Sequence, residues 1–288
     1  MFGLARHVQT VGSMSSRLPL RPLGLVGVCL LAGACQRPAH AGLTLAGSTS
    51  LQPLAERWAD HYIERGSQQQ INVQGGGSTA GVRAAASGAA QLGMVSRALT
   101  PDEARRVHGV TVARDGIALI VHPSNRIDQL SLEQVRALYA GDLRRWQQVS
   151  GANREVTLIT REEGSGTRAA FESLVMNKRR IIASALVSDS TGAVSQMVGS
   201  DPAALGYISI GLVDSSVKAL RISGVDASEA NIDAGRYPLV RPFLFVTGAE
   251  PDAATKDFIA WIIGPEGRKI TRREGMLPPK AEELHAPR

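Results

Sequence analysis

Three short segments rich in glycine and hydroxyl residues each follow a strand-like run and precede a helix-like run. They span residues 46–50, 75–79 and 161–168. A helix start leaves backbone N–H groups without partners and carries partial positive charge, glycine lets the backbone approach a ligand closely, and Ser and Thr add hydroxyl donors. Such a loop suits a small oxyanion. One loop of this kind is a weak signal, whereas three together with Arg161 predict an anion-binding site.

The same residues give little support to catalysis. Ser165 is preceded two positions earlier by Glu163, where a nucleophile elbow requires glycine. The histidines are scattered, with no pair at metal-ligand spacing on one element. We therefore predict a binding protein that is not an enzyme and uses no metal or cofactor. An exported phosphate-ester hydrolase is the alternative from a different functional class.

The first 35 residues have the character of an export signal. They hold three arginines and no acidic residue, and an apolar run from Leu23 leads to Cys35. This run is shorter than the ~20 residues of a membrane-spanning helix. Small residues directly before Cys35 resemble a bacterial lipobox, although Ala32 stands where leucine is usual, and Met14 is an alternative start. We expect residues 1–35 to be a lipoprotein signal peptide and the mature protein to be periplasmic, lipid-anchored to the membrane through Cys35.

Composition restricts the partners. The 288-residue chain has a formal net charge of +6, which falls to +3 without the first 35 residues, so charge gives no argument for a nucleic-acid partner. The two cysteines, Cys29 and Cys35, lie in the signal and at the lipid attachment point, which leaves the mature chain without a thiol. A content of 43% hydrophobic and 20% charged residues is typical of globular proteins with one large or two medium cores.

Strands and helices alternate in the first part of the chain. Apolar runs that begin at Leu43, Ile71 and Leu92 predict three strands, and the spacing of apolar residues predicts helices over 51–65 and 79–87. This βαβαβ order favours a parallel sheet, in which ligands bind beyond the carboxyl ends of the strands. The first two segments lie at such ends.

The pattern recurs in the second half, where a strand over 156–160 and a helix over 167–176 flank the third segment. Two β-rich crossovers connect the halves. The first contains runs at 110–113 and 117–121, separated by Arg114-Asp115-Gly116, and the second spans 237–246. We predict a first lobe of residues 43–121 plus 236–288 and a second lobe of 122–235, with a cleft that closes by rotation about the crossovers.

From about residue 43 to residue 278 the chain resembles the PstS-type phosphate-binding proteins of bacterial phosphate importers. The matching stretches, in order, are 47–51, 75–78, 93–97, 115–118, Gly141 with Trp146, 161–168, 204–208 and 237–242. The resemblance implies a two-lobed α/β periplasmic binding protein of type II with a hinge of two crossover strands. It also implies inorganic phosphate as the ligand and the membrane permease of a phosphate ABC transporter as the partner, and we expect a monomer.

The resemblance further implies which residues bind phosphate. Arg161 is expected to pair with the anion and to be held by an acid at Glu163, because an arginine fork fits two phosphate oxygens and a carboxylate can fix that fork. The other expected ligands are hydroxyls and loop residues near the strand ends: Thr49, Ser50, Leu51, Ser78, Ser96, Arg97, Ser165, Gly166 and Thr167.

Arg97 leaves anion selectivity open. Many relatives of one branch have an aspartate after the serine that matches Ser96, and this aspartate accepts the proton of monohydrogen phosphate and rejects sulfate. Because this chain has Arg97 there, Asp115 and Glu163 are alternative proton acceptors, between which the sequence does not choose. Another tetrahedral oxyanion, similar to sulfate, is therefore the alternative ligand.

Overall fold

The computed structural model describes residues 42–283. Its strands are β1 (Leu43–Gly47), β2 (Ile71–Gln74), β3 (Leu92–Val95), β4 (His108–Val121), β5 (Gln129–Leu130), β6 (Thr157–Arg161), β7 (Leu186–Ser188), β8 (Ala204–Ser209), β9 (Lys218–Ala219), β10 (Arg221–Ile222) and β11 (Val240–Thr247). Its α-helices are α1 (Gln52–Glu64), α2 (Ser78–Ser87), α3 (Pro101–Ala104), α4 (Leu132–Ala140), α5 (Gly166–Phe171), α6 (Thr191–Ser200), α7 (Glu229–Asp233), α8 (Ala253–Ile263) and α9 (Pro265–Arg273).

A nine-stranded sheet carries most of these strands. Its order is β2-β1-β3-β11-β4-β8-β6-β7, and β9 pairs with β4. The strands β2, β1 and β3 are parallel to one another, as are β8, β6 and β7. The antiparallel pair β4–β11 joins these two parallel regions. The arrangement confirms the predicted α/β class and places the loops after β1, β2, β3 and β6 at carboxyl ends of parallel strands.

Two large hydrophobic cores flank the β4–β11 pair. Trp58 and Phe245 belong to the first core, in which their rings lie 5.8 Å apart in an edge-to-face contact. Tyr139 belongs to the second core. The strand β4 contributes to both, with Val112 in the first and Leu119 in the second. The exact lobe boundaries stay a prediction, but the change from one core to the other occurs along β4 itself.

Among the differences between the structure and the predicted elements, three concern the central crossover and the segments after β6. The strand β4 continues through Arg114-Asp115-Gly116, because Asp115 pairs with Arg241 across the ladder and is fully buried. The helix predicted over 167–176 is α-helical only to Phe171 and continues as a π-helical turn over Glu172–Met176. The segment containing β7 and α6 was not predicted.

No helix within residues 42–283 is long and apolar enough to cross a membrane. The predicted signal peptide and its lipid attachment point, Cys35, lie outside the described residues.

Candidate functional site

The first loop turns sharply at Gly47, at the end of β1. Its φ is +135°, and a Cβ there would lie 2.4 Å from the carbonyl oxygen of Met94, so the turn requires glycine. The turn places the Ser48 and Ser50 hydroxyls 3.0 Å apart, and Ser48 Oγ accepts the N–H of Leu51 at 3.3 Å. Both serines are buried. The predicted donor Leu51 therefore has its N–H engaged within the loop.

The second loop and the end of β3 share a buried pair of hydroxyls. Gly77 precedes α2 with a φ of +86°, which again favours glycine. Ser78, the first residue of α2, accepts the N–H of Ser96 at 3.0 Å, and the two hydroxyl oxygens lie 3.3 Å apart. Neither serine is exposed to solvent.

The third loop lies directly against these serines. A Cβ on Gly166 would lie 2.1 Å from Ser78 Oγ and 2.5 Å from Ser96 Oγ, so the absence of a side chain permits the contact. Thr167 donates from Oγ1 to Ser50 Oγ at 3.3 Å. The start of α5 thus contacts hydroxyls from the first loop, the second loop and the end of β3.

Ser165 is the N-cap of α5. Its hydroxyl oxygen accepts the N–H of Arg168 at 3.2 Å, and the side chain is buried. An N-cap serine still has its own O–H proton to donate. The predicted role of Ser165 as a donor is therefore compatible with its role in starting the helix.

Arg161 ends β6 and is only 1% exposed. Its Nε and Nη2 donate to the carboxylate of Glu162 at 2.9 and 3.0 Å, Nη1 donates to Thr191 Oγ1 at 3.1 Å, and Nη2 donates to Thr49 Oγ1 at 3.2 Å. The prediction that Glu163 holds this guanidinium is wrong. The chain leaves the strand after Arg161, which sets Glu162 beside the guanidinium and leaves Glu163 exposed.

A fourth loop, between β7 and α6, was missed by the sequence analysis. Ser190 caps α6 by accepting the N–H of Ala193 at 3.2 Å. Thr191 donates its N–H to Thr49 Oγ1 at 3.3 Å, and the two threonine hydroxyls lie 3.4 Å apart. The sequence Ser-Asp-Ser-Thr-Gly over 188–192 has the same composition as the other loops and could have identified it.

A buried ion pair lies beside these hydroxyls. Arg241 Nε donates to Asp115 Oδ2 at 2.9 Å, and Ser209 Oγ donates to Asp115 Oδ1 at 2.7 Å. Arg241 Nη1 donates to Thr167 Oγ1 at 2.8 Å and to the Ser96 carbonyl at 3.3 Å. Burial raises the pKa of Asp115 and lowers that of Arg241, and the attraction between the two charges offsets part of each shift. The sequence analysis gave Arg241 no ligand role.

The guanidinium of Arg97 has other partners. It donates to the two carboxylate oxygens of Glu103 at 2.7 and 2.8 Å and to Thr79 Oγ1 at 3.4 Å. Partial burial alone would raise the pKa of Glu103, but hydrogen bonds from Arg97 and Thr100 outweigh it and hold that pKa below its ordinary value. Within residues 42–283, the hydrogen bonds of Arg97 reach none of the other predicted site residues.

The two candidate proton acceptors differ in position. Glu163 is exposed, whereas Asp115 is fully buried with one oxygen bonded to Ser209 and the other to Arg241. Within the described residues, no group of three or more His, Cys, Asp and Glu could hold a metal ion.

The geometry as a whole suits an anion held by many donors. Four loops bring hydroxyls, backbone N–H groups and one guanidinium to a single buried region, and a second guanidinium reaches it from β11. Each guanidinium is paired with an acidic residue, so the region concentrates hydrogen-bond donors without a large net charge. Such donors are stronger in a water-poor site than in bulk water.

The sequence profile of the PBP superfamily domain matches residues 32–266. Among proteins of known function, the chain is 28% identical over 248 residues to the phosphate-binding protein PstS of Bacillus subtilis, which covers 84% of this chain and 82% of that protein. The match therefore extends over more than four fifths of each chain.

Two solved structures are similar at higher identity. One is from Clostridium perfringens, a substrate-binding protein of a phosphate ABC transporter with bound phosphate; it is 33% identical, has a TM-score of 0.81, and covers 83% of this chain and 100% of its own. The other is an ABC-type phosphate transport receptor from Vibrio cholerae, 35% identical with a TM-score of 0.69 and the same coverage of each chain. These likenesses confirm the predicted fold class.

Proposed function

The chain belongs to the PstS-type phosphate-binding proteins of the PBP superfamily, and on that premise we propose that it binds inorganic phosphate between its two lobes and delivers it to an ABC-type phosphate importer. The observation that carries this proposal is the convergence of buried donors from separate loops. Ser50 contacts Thr167, Ser78 contacts Ser96, and Arg161 contacts Thr49.

The proposed ligands are the converging residues. Hydroxyl and backbone donors surround the anion, and Arg161 supplies the charge, with Glu162 fixing its orientation. Arg97 contributes through its backbone N–H, because its guanidinium is committed to Glu103. The N–H of Leu51, which donates to Ser48 Oγ at 3.3 Å, would turn to the anion when phosphate enters. The proposed set is Thr49, Ser50, Leu51, Ser78, Ser96, Arg97, Arg161, Ser165, Gly166 and Thr167.

Contacts between the lobes favour a closed arrangement. Thr79 donates its N–H to the Gly164 carbonyl at 3.1 Å, and Thr191 donates its N–H to Thr49 Oγ1 at 3.3 Å. We infer that phosphate enters when these contacts open, by rotation about the β4–β11 crossovers. Closure then removes the anion from water, which strengthens each hydrogen bond to it.

We propose that the protein takes part in phosphate transport and catalyses no reaction. Relatives of the family are transport proteins. A hydrolase would need an activated nucleophile, but the site serines bond to one another and to backbone N–H groups. The nearby acids Glu162 and Asp115 are both bonded to arginines, and this leaves neither carboxylate placed to take a proton from a serine nucleophile.

PstS-type substrate-binding proteins are periplasmic or extracellular, and we propose that this one is a monomer attached to the membrane by lipid on Cys35. Replacing Cys35 with alanine should move the protein from the membrane fraction to the soluble fraction and abolish incorporation of radiolabelled palmitate. Retention of both signals in Cys35→Ala would contradict the anchor.

Calorimetry with phosphate and sulfate across pH tests the ligand. We expect one phosphate per chain, bound more tightly than sulfate at every pH at which the protein is folded. Equal or tighter sulfate binding would favour the alternative oxyanion. A phosphatase assay with and without divalent metal provides the second arm, in which turnover would contradict a transport role.

A further inference from the structure

Arg241 lies on the crossover strand β11, beside the loops of the candidate site. It lies directly opposite Asp115 on β4 and is 2% exposed. From the crossover it reaches both sides of the site, because Nη1 donates to the Ser96 carbonyl at the end of β3 and to Thr167 Oγ1 at the start of α5. One guanidinium therefore contacts groups on both predicted lobes.

The outer nitrogen of this guanidinium is not satisfied by the protein. Arg241 Nη2 lies 2.8 Å from Asp115 Oδ2, but its N–H bonds are not aligned on any acceptor in the described part of the chain. It is one of only two buried side-chain nitrogen or oxygen atoms in residues 42–283 without a hydrogen bond, the other being Thr255 Oγ1. Buried N–H groups are normally paired, so an unpaired one beside a ligand site points to the ligand as its partner.

We propose that Arg241 is a second guanidinium of the phosphate site and that Asp115 is the residue that positions it; this inference rests on the proposed function. Glu162 accepts from two of the three nitrogens of Arg161. Arg241 adds Nη2, whose N–H has no partner in the described residues, on the same guanidinium whose Nη1 donates to Thr167 Oγ1 at the start of α5.

A purely structural role explains the pair less well. A buried ion pair contributes little to stability compared with apolar residues of similar volume, since desolvation consumes most of the attraction. Both members also have shifted pKa values, a feature that is frequent at functional sites. In addition, a cross-link that served only the strands would have no need to reach Ser96 and Thr167.

This assignment also gives Asp115 a definite role. Its oxygens accept from Ser209 on β8 and from Arg241, so its lone pairs face these two groups rather than the hydroxyls of the four loops. Asp115 acts through Arg241 and is a positioning residue, not the acceptor of a phosphate proton.

The test replaces the whole pair, so that no buried charge is left unpaired. The double variant Asp115→Asn with Arg241→Gln should bind phosphate at least about 30-fold more weakly in calorimetry, with little change in the melting temperature of the ligand-free protein. The matched control is Arg114→Gln with Asp233→Asn, which removes the ion pair between Arg114 on β4 and Asp233 at the end of α7, whose Nη2 and Oδ1 lie 2.7 Å apart. The control should stay within about twofold of the wild type, because that pair contacts none of the site residues.

A second variant keeps the test decisive if the double variant does not fold. Arg241→Lys keeps the charge but loses the fork, so it should weaken phosphate binding about tenfold. Phosphate affinity within about twofold of wild type in either folded variant would overturn the inference. If wild type binds phosphate and Arg161→Ala loses it, such a result overturns only the role of Arg241. If wild type binds no phosphate, the proposed function itself fails.

Discussion

Two arginines follow strands at comparable places, Arg97 after β3 and Arg161 at the end of β6, yet only one faces the site. Arg161 donates to site threonines on two loops, whereas the fork of Arg97 is taken by both oxygens of Glu103. The loops after β1, β2 and β3 form the first face of the site, which offers neutral hydroxyls. The loops after β6 and β7 form the second face, which offers the guanidinium of Arg161.

The neighbouring acids account for the difference. Glu103 is the third residue of α3 and completes a capping box with Thr100, so the helix start holds its carboxylate where it binds Arg97. Glu162 is adjacent in sequence to Arg161 and leaves Nη1 free to reach Thr191. A motif position alone does not decide whether an arginine serves the ligand, because the local acid can redirect it.

The largest effect should come from removing the charge on the second face. Arg161→Ala should lose at least ~2 kcal/mol of phosphate affinity, about 30-fold, because the anion loses a buried charge-assisted contact. Calorimetry measures the loss. An affinity unchanged within error would remove Arg161 from the site.

The second largest loss of phosphate affinity should come from a substitution that keeps the two faces apart. In Gly166→Ala the new Cβ would lie 2.1 Å from Ser78 Oγ, so α5 cannot approach the serine pair as closely, and phosphate should bind about tenfold more weakly. Gly164→Ala is the control on the same loop, since nothing lies within 4 Å of its Cβ. Equal affinities for the two variants would contradict the close approach.

The neutral face should contribute less per residue. Ser50→Ala removes the acceptor of the Thr167 hydroxyl and one donor to the anion, and should weaken phosphate binding by about 1 kcal/mol, roughly fivefold. Ser87→Ala, on the exposed end of α2, serves as the control. A loss from Ser50→Ala as large as that from Arg161→Ala would mean that charge does not distinguish the faces.

Arg97→Ala should leave phosphate affinity within about twofold of wild type, because its guanidinium bonds Glu103 and not the converging hydroxyls. Direct titration beside Arg161→Ala tests the contrast. A tenfold loss would place the Arg97 guanidinium in the site and make the two faces alike.

The smallest effect concerns stability in acid. The pKa of Glu103 is lowered in the folded protein, so its ionised form stabilises the fold above the ordinary value of 4.5, and this contribution is lost as the pH falls through the lowered pKa. The difference in melting temperature between wild type and Glu103→Gln should therefore shrink as the pH falls below 4.5. If the difference in melting temperature instead grew as the pH fell, the pKa of Glu103 would be raised in the folded protein and not lowered.

Local patterns in the sequence were sufficient for much of this site. The segments around Ser50, Ser78 and Ser165 combine strand, glycine, hydroxyl and helix within a few residues, and the structure brings all three together. Such a pattern depends only on local chemistry, so it can be read without knowledge of the tertiary fold.

The residues that were missed depend on long-range pairing. Arg241 reaches the site because β11 pairs with β4. The two bonded residues, Arg241 and Asp115, are 126 positions apart in the sequence. Thr191 follows β7, a short strand whose Leu186 and Val187 are exposed and give a weak strand signal. The choice of Glu162 over Glu163 depends on where β6 ends, a boundary that side-chain pattern does not define to one residue.

A crystal structure with arsenate, a tetrahedral analogue of phosphate, would show whether the four loops bind one anion, because the anomalous signal of arsenic locates the anion. We expect one arsenate per chain, within hydrogen-bond distance of Ser50, Ser78, Arg161 and Thr167 together. An anion bound elsewhere, or one that contacts a single lobe while these side chains bond only to one another, would contradict this expectation.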